Sequence, residues 1–406
     1  MTTATDLNTA EILPPPSERR NAWGWLRRNL FDGWVNSLLT IVAAVFIFFI
    51  VRGLANWALN VAEWAVIPAN CNLLMRGQYP AEQVCRLWLC IYLLAGVVGL
   101  SWGTWGRSAN VALIVVFAIP LLLMLLPWLS MEARLNLLIT EAVGIAFFAV
   151  GRYGKSKRTS RVATIAWVLY FPTVILIIRG FRFSENVLSL VPSNVWGGLL
   201  LSLLLAIVGI VFSFPLGVLL ALGRQSTMPA IRWLSIMYIE FIRGVPLISL
   251  LFMAQVMLQL FLPASMPPLD RVLRAMVAII IFSAAYTAEN VRGGLQSIPQ
   301  GQYEAADALG LSNFQSMTRI ILPQALRAVI PVLVGQFIGL FKDTSLVALV
   351  GLFDLLGIAR SILANPSWLG RYQEVFVVVA LIYWVFSFSM SYASRRIEAA
   401  SGVGTR

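Results

Sequence analysis

Oppositely charged side chains recur in or beside apolar runs in the second half of this 406-residue chain. Glu240 precedes Arg243 by three positions, and Glu289 precedes Arg292 by the same interval, so each pair can share a helix face. Mutual neutralisation would lower the cost of placing charge at a membrane edge, and a gate element is the alternative interpretation. Pro246 closely follows the first pair and permits a bend, because proline removes a backbone hydrogen bond.

A second polar group lies near the end of a later apolar run, where Lys342, Asp343, Thr344 and Ser345 are consecutive. At a rise of about 1.5 Å per residue, Lys342 lies roughly 27 Å into this run, toward the predicted outer side. These side chains are complementary to a solute that carries both a carboxylate and an ammonium. The group therefore either contacts such a solute in a translocation cavity or forms an internal ion pair that anchors a helix break.

The chain contains no histidine and only three cysteines. Imidazole metal sites and histidine-dependent catalysis are therefore excluded, and no Cys-x-x-Cys spacing suggests zinc. A membrane-embedded enzyme would need such a constellation, so we expect neither catalysis nor a bound metal or cofactor. Cys71 and Cys85 fall in one predicted outer loop, where they form either a disulfide or two free thiols.

The elements that position these residues must lie in lipid. Hydrophobic residues make up 59% of the chain and charged residues 12%, and the mean hydropathy is +0.82. Runs of about 20 apolar residues cross a bilayer as helices, so the sequence predicts an all-α polytopic membrane protein with about ten spans. The predicted spans are 35–56, 86–104, 109–128, 135–150, 162–179, 196–222, 238–262, 271–291, 325–346 and 372–392.

Basic residues set the predicted orientation. The formal net charge is +12, but the charges cluster beside apolar runs, as in cytoplasmic loops, so nucleic acid is not an expected partner. Three clusters of basic residues lie on the same side of the membrane only if the short run 135–150 also crosses it. Both termini are then cytoplasmic. A polar tail without a signal-peptide pattern precedes the first run, which we interpret as an uncleaved anchor. The clusters are Arg19, Arg20, Arg27 and Arg28; Arg152, Lys155, Lys157, Arg158 and Arg161; and Arg395 and Arg396.

A patterned polar loop separates the eighth and ninth predicted spans. Pro299 can open a helix, Gly310 suits a left-handed helix C-cap, and Ser312 suits the N-cap of a second short helix. Ala305, Ala306, Ala308 and Leu309 would form a compact apolar surface beside Glu304, which offers a charge to a basic partner. The loop is thus either a docking bracket or an ordinary linking loop.

The spacing of this loop resembles the coupling-loop signature of ABC importer permeases. That resemblance implies that the loop sits in a cleft of an ATPase subunit and transmits its closure to the spans. Residues 149–156 end like a phosphate-binding loop but begin with alanine and leave an apolar run rather than a strand, so ATP and Mg²⁺ are expected only in the partner ATPase. The residues that carry the resemblance are Glu304, Ala305, Ala306, Gly310, Ile320, Leu322 and Pro323.

Segments 238–247, 288–299 and 342–346 are similar to those of polar amino-acid uptake permeases, over roughly residues 190–395. The additional N-terminal spans resemble the long M-type permeases of general L-amino-acid transport systems.

The resemblance implies an alternating-access permease in a bacterial inner membrane. Its expected partners are ABC ATPase subunits, a second permease that is either a paralogue or another copy of this chain, a periplasmic amino-acid-binding protein and the amino-acid substrate. An ion-gradient-driven secondary transporter of polar solutes is the alternative. The expected segments are a cytoplasmic tail at 1–33, an extension at 34–190, a core at 191–395 with its coupling loop at 293–324, and a cytoplasmic tail at 396–406.

Overall fold

The computed structural model describes residues 22–106, 120–127, 129–181, 188–263, 265 and 269–401, and the regular elements in these ranges are helices. The chain forms two compact units, of which the first ends at Glu63 and the second begins at Trp64. The predicted boundary between extension and core, at 190/191, therefore falls inside the second unit.

The first unit contains α1 (Ala22–Leu30) and α2 (Trp34–Asn56). A π-helical turn extends α2 to Val61, giving 28 residues that include an 18-residue stretch with a mean hydropathy of 2.5, and none of the side chains is buried. At about 1.5 Å per residue, such a helix exceeds the roughly 30 Å hydrocarbon thickness of a bilayer. Its long apolar middle, between Asn36 and Arg52, suits lipid, and the first predicted span is confirmed as a helix.

Four helices of the second unit precede the core, namely α3 (Val66–Arg76), α4 (Val84–Trp105), α5 (Met131–Tyr153) and α6 (Lys157–Arg179). All except α3 are long and apolar enough to cross a membrane. The short predicted run 135–150 is confirmed as part of α5, which is longer because Ser130 caps its first turn. The predicted span 109–128 lies largely outside the described residues.

The core has α10 at its centre. This helix packs against α7, α8 and α13, and it is the most buried of the candidate spans. The core helices are α7 (Gly198–Arg224), α8 (Pro229–Arg243), α9 (Leu247–Phe261), α10 (Arg271–Gln296), α11 (Gln300–Ala308), α12 (Asn313–Ser316), α13 (Leu322–Asp343), α14 (Leu355–Leu363) and α15 (Tyr372–Ser401).

The predicted span 238–262 is not one continuous helix. α8 begins at Pro229 and ends at Arg243, and α9 leaves it at an angle of 102°. Pro246 lacks the backbone N–H that would continue α8, so the bend occurs where the sequence permits it. Within the described ranges, eight helices can cross a membrane, or nine if the bent pair forms one span.

The helix α3 joins the extension to the core. Val66 and Leu74 are buried against Leu355 and Ile358 of α14. Gly77 follows α3 with a φ of 62°, and a Cβ at this position would lie 2.5 Å from Gly197 Cα. Only a residue without a side chain fits this crossing of two backbone segments.

We expect Gly77→Val to destabilise the second unit, because valine would adopt an unfavourable positive φ, which costs about 1–2 kcal/mol, and would also meet the opposite backbone. The measurement is the thermal denaturation midpoint of the detergent-solubilised protein. Gly53→Val in α2 is the matched control, because a Cβ at Gly53 meets no atom within 4 Å. Equal midpoints for the two variants would contradict this account of the crossing.

Candidate functional site

Charged side chains from three helices meet near one end of the core. We refer to these five residues as the charge cluster. They are Arg224 in the last turn of α7, Glu240 and Arg243 in the last turn of α8, and Glu289 and Arg292 near the end of α10.

Glu289 is the shared acceptor of the charge cluster. Arg292 Nε donates to Glu289 Oε1 at 3.0 Å, and Arg292 Nη2 contacts the same oxygen. Glu289 Oε2 lies 3.5 Å from Arg224 Nη1 and 3.6 Å from Arg243 Nη1. One carboxylate thus connects three helices, and its side chain is only 22% exposed, so screening by water is limited.

The structure forms the predicted Glu289–Arg292 pair but not the predicted Glu240–Arg243 pair. Glu240 Oε1 instead lies 2.8 Å from Arg224 Nη1. Arg243 turns toward Glu289 and lies over the Tyr286 ring, with Cζ 5.8 Å from the ring centroid. Glu289 is more buried than Glu240, whose side chain is 55% exposed, so the cation gains more by compensating Glu289.

The ion pairs of the charge cluster can hold α7, α8 and α10 together reversibly. Each contact from α7 or α8 to Glu289 is an ion pair between separate helices, and such pairs break when helices separate. The same contacts fit both predicted roles, charge neutralisation at a membrane edge and a gate.

The predicted docking bracket is a pair of short helices joined by a tight turn. Gly310 has a φ of +70°, its N–H donates to the Asp307 carbonyl at 2.9 Å, and the Leu311 N–H donates to the Ala306 carbonyl at 3.2 Å. These two bonds form a Schellman motif at the end of α11. Ser312 then starts α12 in a capping box with Gln315. We call the segment from 297 to 321 the coupling segment.

The exposed surface of the coupling segment differs from the predicted one. Glu304 and Ala305 are exposed, but Ala306 is 1% exposed and packs inward. Leu309 and Phe314 are each 76% exposed. Phe314 was not predicted, although a bulky aromatic residue in an otherwise polar loop was a readable signal.

The coupling segment is fastened to both helices that flank it. Ile321 is fully buried in a cluster that includes Val291 and Leu295 of α10. The Tyr303 hydroxyl donates to the Leu295 carbonyl at 3.4 Å. The predicted junction residue Pro323 occupies the first turn of α13. A force on the segment is therefore delivered to α10 and α13.

At the far end of α13, the predicted polar group surrounds a helix break. α13 ends at Asp343, and a 3₁₀ turn begins at Thr344. The hydroxyls of Thr344 and Ser345 donate to main-chain carbonyls at 2.7 and 2.8 Å. Among the described residues no ion pair joins Lys342 to Asp343, so the predicted internal pair does not form. The exposed Lys342 and half-buried Asp343 are the charged groups of this site.

Asp354 is a buried carboxyl that the sequence reasoning missed. It caps α14, accepting from the Gly357 N–H at 2.9 Å and the Leu356 N–H at 3.2 Å, and it also accepts from the Tyr383 hydroxyl at 3.3 Å. Burial raises the pKa of Asp354 to about 6, outweighing the hydrogen bonds that lower it. An aspartate before the amphipathic run 355–363 was the available signal for an N-cap.

Of the two alternatives for Cys71 and Cys85, the structure has the free thiols rather than the disulfide. Cys71 is a half-buried free thiol on α3, and Cys85 is an exposed free thiol in the first turn of α4. Burial raises the pKa of the Cys71 thiol, which disfavours the reactive thiolate.

Comparisons with known proteins identify relatives of this chain. The family model described as "binding-protein-dependent transport system inner membrane component" matches residues 213–401. The chain is 39% identical to the inner membrane amino-acid ABC transporter permease protein YhdY of Escherichia coli, over 96% of each chain. It is 38% identical to the glutamate/glutamine/aspartate/asparagine transport system permease protein BztC of Rhodobacter capsulatus, over 95% of each chain. A crystal structure of an amino acid ABC transporter with histidines matches 50% of this chain and 92% of its own, with 31% identity and a TM-score of 0.45.

We expect Glu289→Gln to destabilise the protein more than Glu240→Gln. The first change leaves three guanidinium groups without their shared carboxylate in a partly buried site, at a cost of about 1–3 kcal/mol. The second removes a carboxylate at the exposed edge of the cluster, where an ion pair contributes about 1 kcal/mol or less. Thermal denaturation midpoints of the two variants in detergent measure the difference, and a larger shift for Glu240→Gln would contradict the central position of Glu289.

Proposed function

This chain belongs to the binding-protein-dependent transport system inner membrane components, and we propose that it is the permease subunit through which an ATP-driven importer moves amino acids across a bacterial inner membrane. The observation that carries this proposal is the coupling segment, which exposes Glu304, Leu309 and Phe314 on a bracket fixed to two core helices. An exposed apolar pair beside a charge suits docking to another protein.

The motor of this importer is a separate ATPase subunit. It binds and hydrolyses ATP with Mg²⁺ and grips the coupling segment. Residues 149–156, which resemble a phosphate-binding loop in part, belong to the end of α5 and the turn after it, whereas a phosphate-binding loop follows a strand. The relatives named above are described as permease proteins of transport systems, which supports ATP-driven import over a secondary transporter driven by an ion gradient.

The coupling segment faces the cytoplasm in this proposal, together with both termini. The support is the distribution of basic residues, since Arg152, Arg158 and Arg161 lie at the α5–α6 connection and Arg395 and Arg396 lie in the last helix. The ATPase must act on the same side, because ATP is cytoplasmic.

The chain works with a second permease subunit, a paralogue, and receives substrate from a periplasmic amino-acid-binding protein. ATP-driven movement of the coupling segment alternates the core between outward-open and inward-open states. In this cycle the charge cluster holds the core helices together on the cytoplasmic side, because its ion pairs join α7 and α8 to α10.

Amino acids are the proposed substrates, and the polar group at the end of α13 is their proposed contact. Lys342 and Asp343 are complementary to the carboxylate and the ammonium that every amino acid carries. The names of both full-length relatives support this class, and that of the Rhodobacter protein includes glutamate, glutamine, aspartate and asparagine.

We expect Lys342→Met to raise the half-saturating concentration of L-glutamate uptake by about tenfold, because one charge-assisted hydrogen bond contributes about 1.5–3 kcal/mol. The measurement is uptake of radiolabelled L-glutamate and L-glutamine by vesicles that contain the complete complex. Lys155→Met, an exposed change between α5 and α6, is the matched control. Unchanged half-saturation for both amino acids would remove Lys342 from the substrate pathway.

We expect Glu304→Lys to reduce ATP-driven uptake at least tenfold while leaving membrane insertion intact, because it reverses the charge presented to the ATPase. The chain is co-expressed with its neighbouring subunits, purified, and assayed for retained ATPase and for transport after reconstitution. Glu82→Lys reverses an equally exposed charge in the 3₁₀ turn Ala81–Gln83 and serves as the control. Normal transport by Glu304→Lys, or transport by the wild-type chain without any ATPase bound, would overturn the assignment.

A further inference from the structure

A polar network joins the half-buried amides of Gln336 and Asn290 to two buried hydroxyls between α10 and α13. Gln336 of α13 donates through Nε2 to the Ser283 carbonyl at 3.0 Å, to Ser283 Oγ at 3.1 Å and to Thr287 Oγ1 at 2.9 Å. Its Oε1 accepts from Asn290 Nδ2 at 2.6 Å. Ser283 and Thr287 are buried, whereas Gln336 and Asn290 are half-buried. We call these four residues the amide latch.

Both the nitrogen and the oxygen of the Gln336 amide have hydrogen-bond partners on α10. Lipid offers no partner to an amide, so Gln336 depends on α10 for its acceptors and for its donor. A side chain that contacts a passing solute needs a free donor or acceptor, whereas both polar atoms of this amide are already engaged by protein. The geometry therefore favours a fastening between helices over a solute contact.

A second fastening joins the same two helices beside the coupling segment. A Cβ at Gly294 would lie 2.6 Å from the Ala325 carbonyl oxygen, so the two backbones are in direct contact there. Gln336 lies 14 residues beyond Leu322, where α13 begins, which is roughly 21 Å along the helix at about 1.5 Å per residue. α10 and α13 are thus held at two levels, one at the coupling segment and one deep in the core.

We propose that Gln336 is a positioning residue that couples the motor to the pathway, because it makes α10 and α13 move as one body when the coupling segment is displaced. This inference rests on the proposed function. Without the latch, α10 and α13 stay joined beside the coupling segment but slip past each other at the depth of Gln336. ATP hydrolysis then continues while less of the displacement reaches the translocation pathway.

The test compares Gln336→Leu with the wild-type chain in the reconstituted complex, with binding protein and L-glutamine present. The readout is the number of ATP molecules hydrolysed per L-glutamine transported. We expect this ratio to rise at least fivefold while the ATPase rate keeps at least half of its wild-type value. An unchanged ratio in the folded variant overturns the proposal.

Gln255→Leu is the matched control, because it also removes an amide that is hydrogen-bonded to α10. Gln255 Nε2 donates to the Arg271 carbonyl at 2.6 Å, which joins α9 rather than α13 to α10. We expect this variant to lose thermal stability but to keep the wild-type ratio of ATP to L-glutamine. An equal rise in both variants would show that any lost core amide uncouples the complex, and would overturn a specific role for Gln336.

Thr287→Val is a second variant that keeps the shape of the side chain and removes one acceptor of the latch. We expect a rise of about twofold in the ratio, because one of four contacts is lost, and this variant decides the question if Gln336→Leu does not fold. An unchanged ratio in Thr287→Val then overturns the latch. Failure of the proposed function is distinct, since in that case the wild-type complex itself shows no ATP-dependent uptake.

Discussion

Polar groups on α10 must find their partners inside the protein, because the lipid around the core offers none. This constraint organises the core. Glu289 forms ion pairs with arginines of α7 and α8, and the latch residues of α10 form hydrogen bonds with Gln336 of α13. α10 then continues toward the coupling segment. α10, whose polar groups depend on partners inside the protein, is therefore also a helix to which displacement of the coupling segment is delivered.

Local features of the coupling segment could be predicted from the sequence. Pro299, Gly310 and Ser312 act through their own backbone conformation or their nearest neighbours, so their roles follow from residue type alone. The orientation of Ala306 could not be predicted in this way. It is buried because α11 lies against the core, and a short run of alanines does not reveal which face of a helix is covered.

Contacts between separate helices were the least predictable part of the site. The spacing of Glu240 and Arg243 favours a pair on one helix, but Arg224 and Glu289 compete from neighbouring helices and win. Gln336 carries no local pattern, and its partners precede it by more than 45 residues. The same limit applies to α3, whose burial against α14 is set by packing between segments that lie far apart in the sequence.

The ion pairs of Glu289 and the amide latch both join α10 to neighbouring helices, but they differ in strength. This difference indicates which contacts break first in the proposed cycle. The ion pairs that Glu289 makes with α7 and α8 are long, at 3.5 and 3.6 Å, and partly exposed, and such pairs contribute about 1 kcal/mol or less. Two members of the amide latch, Ser283 and Thr287, are buried, and breaking the latch would leave their hydroxyls without the amide at about 1–3 kcal/mol each. Breaking the ion pairs from α7 and α8 to Glu289 therefore costs less than breaking the amide latch. A displaced coupling segment would release these ion pairs before the latch, so α10 and α13 stay joined in the proposed cycle while the charge cluster opens.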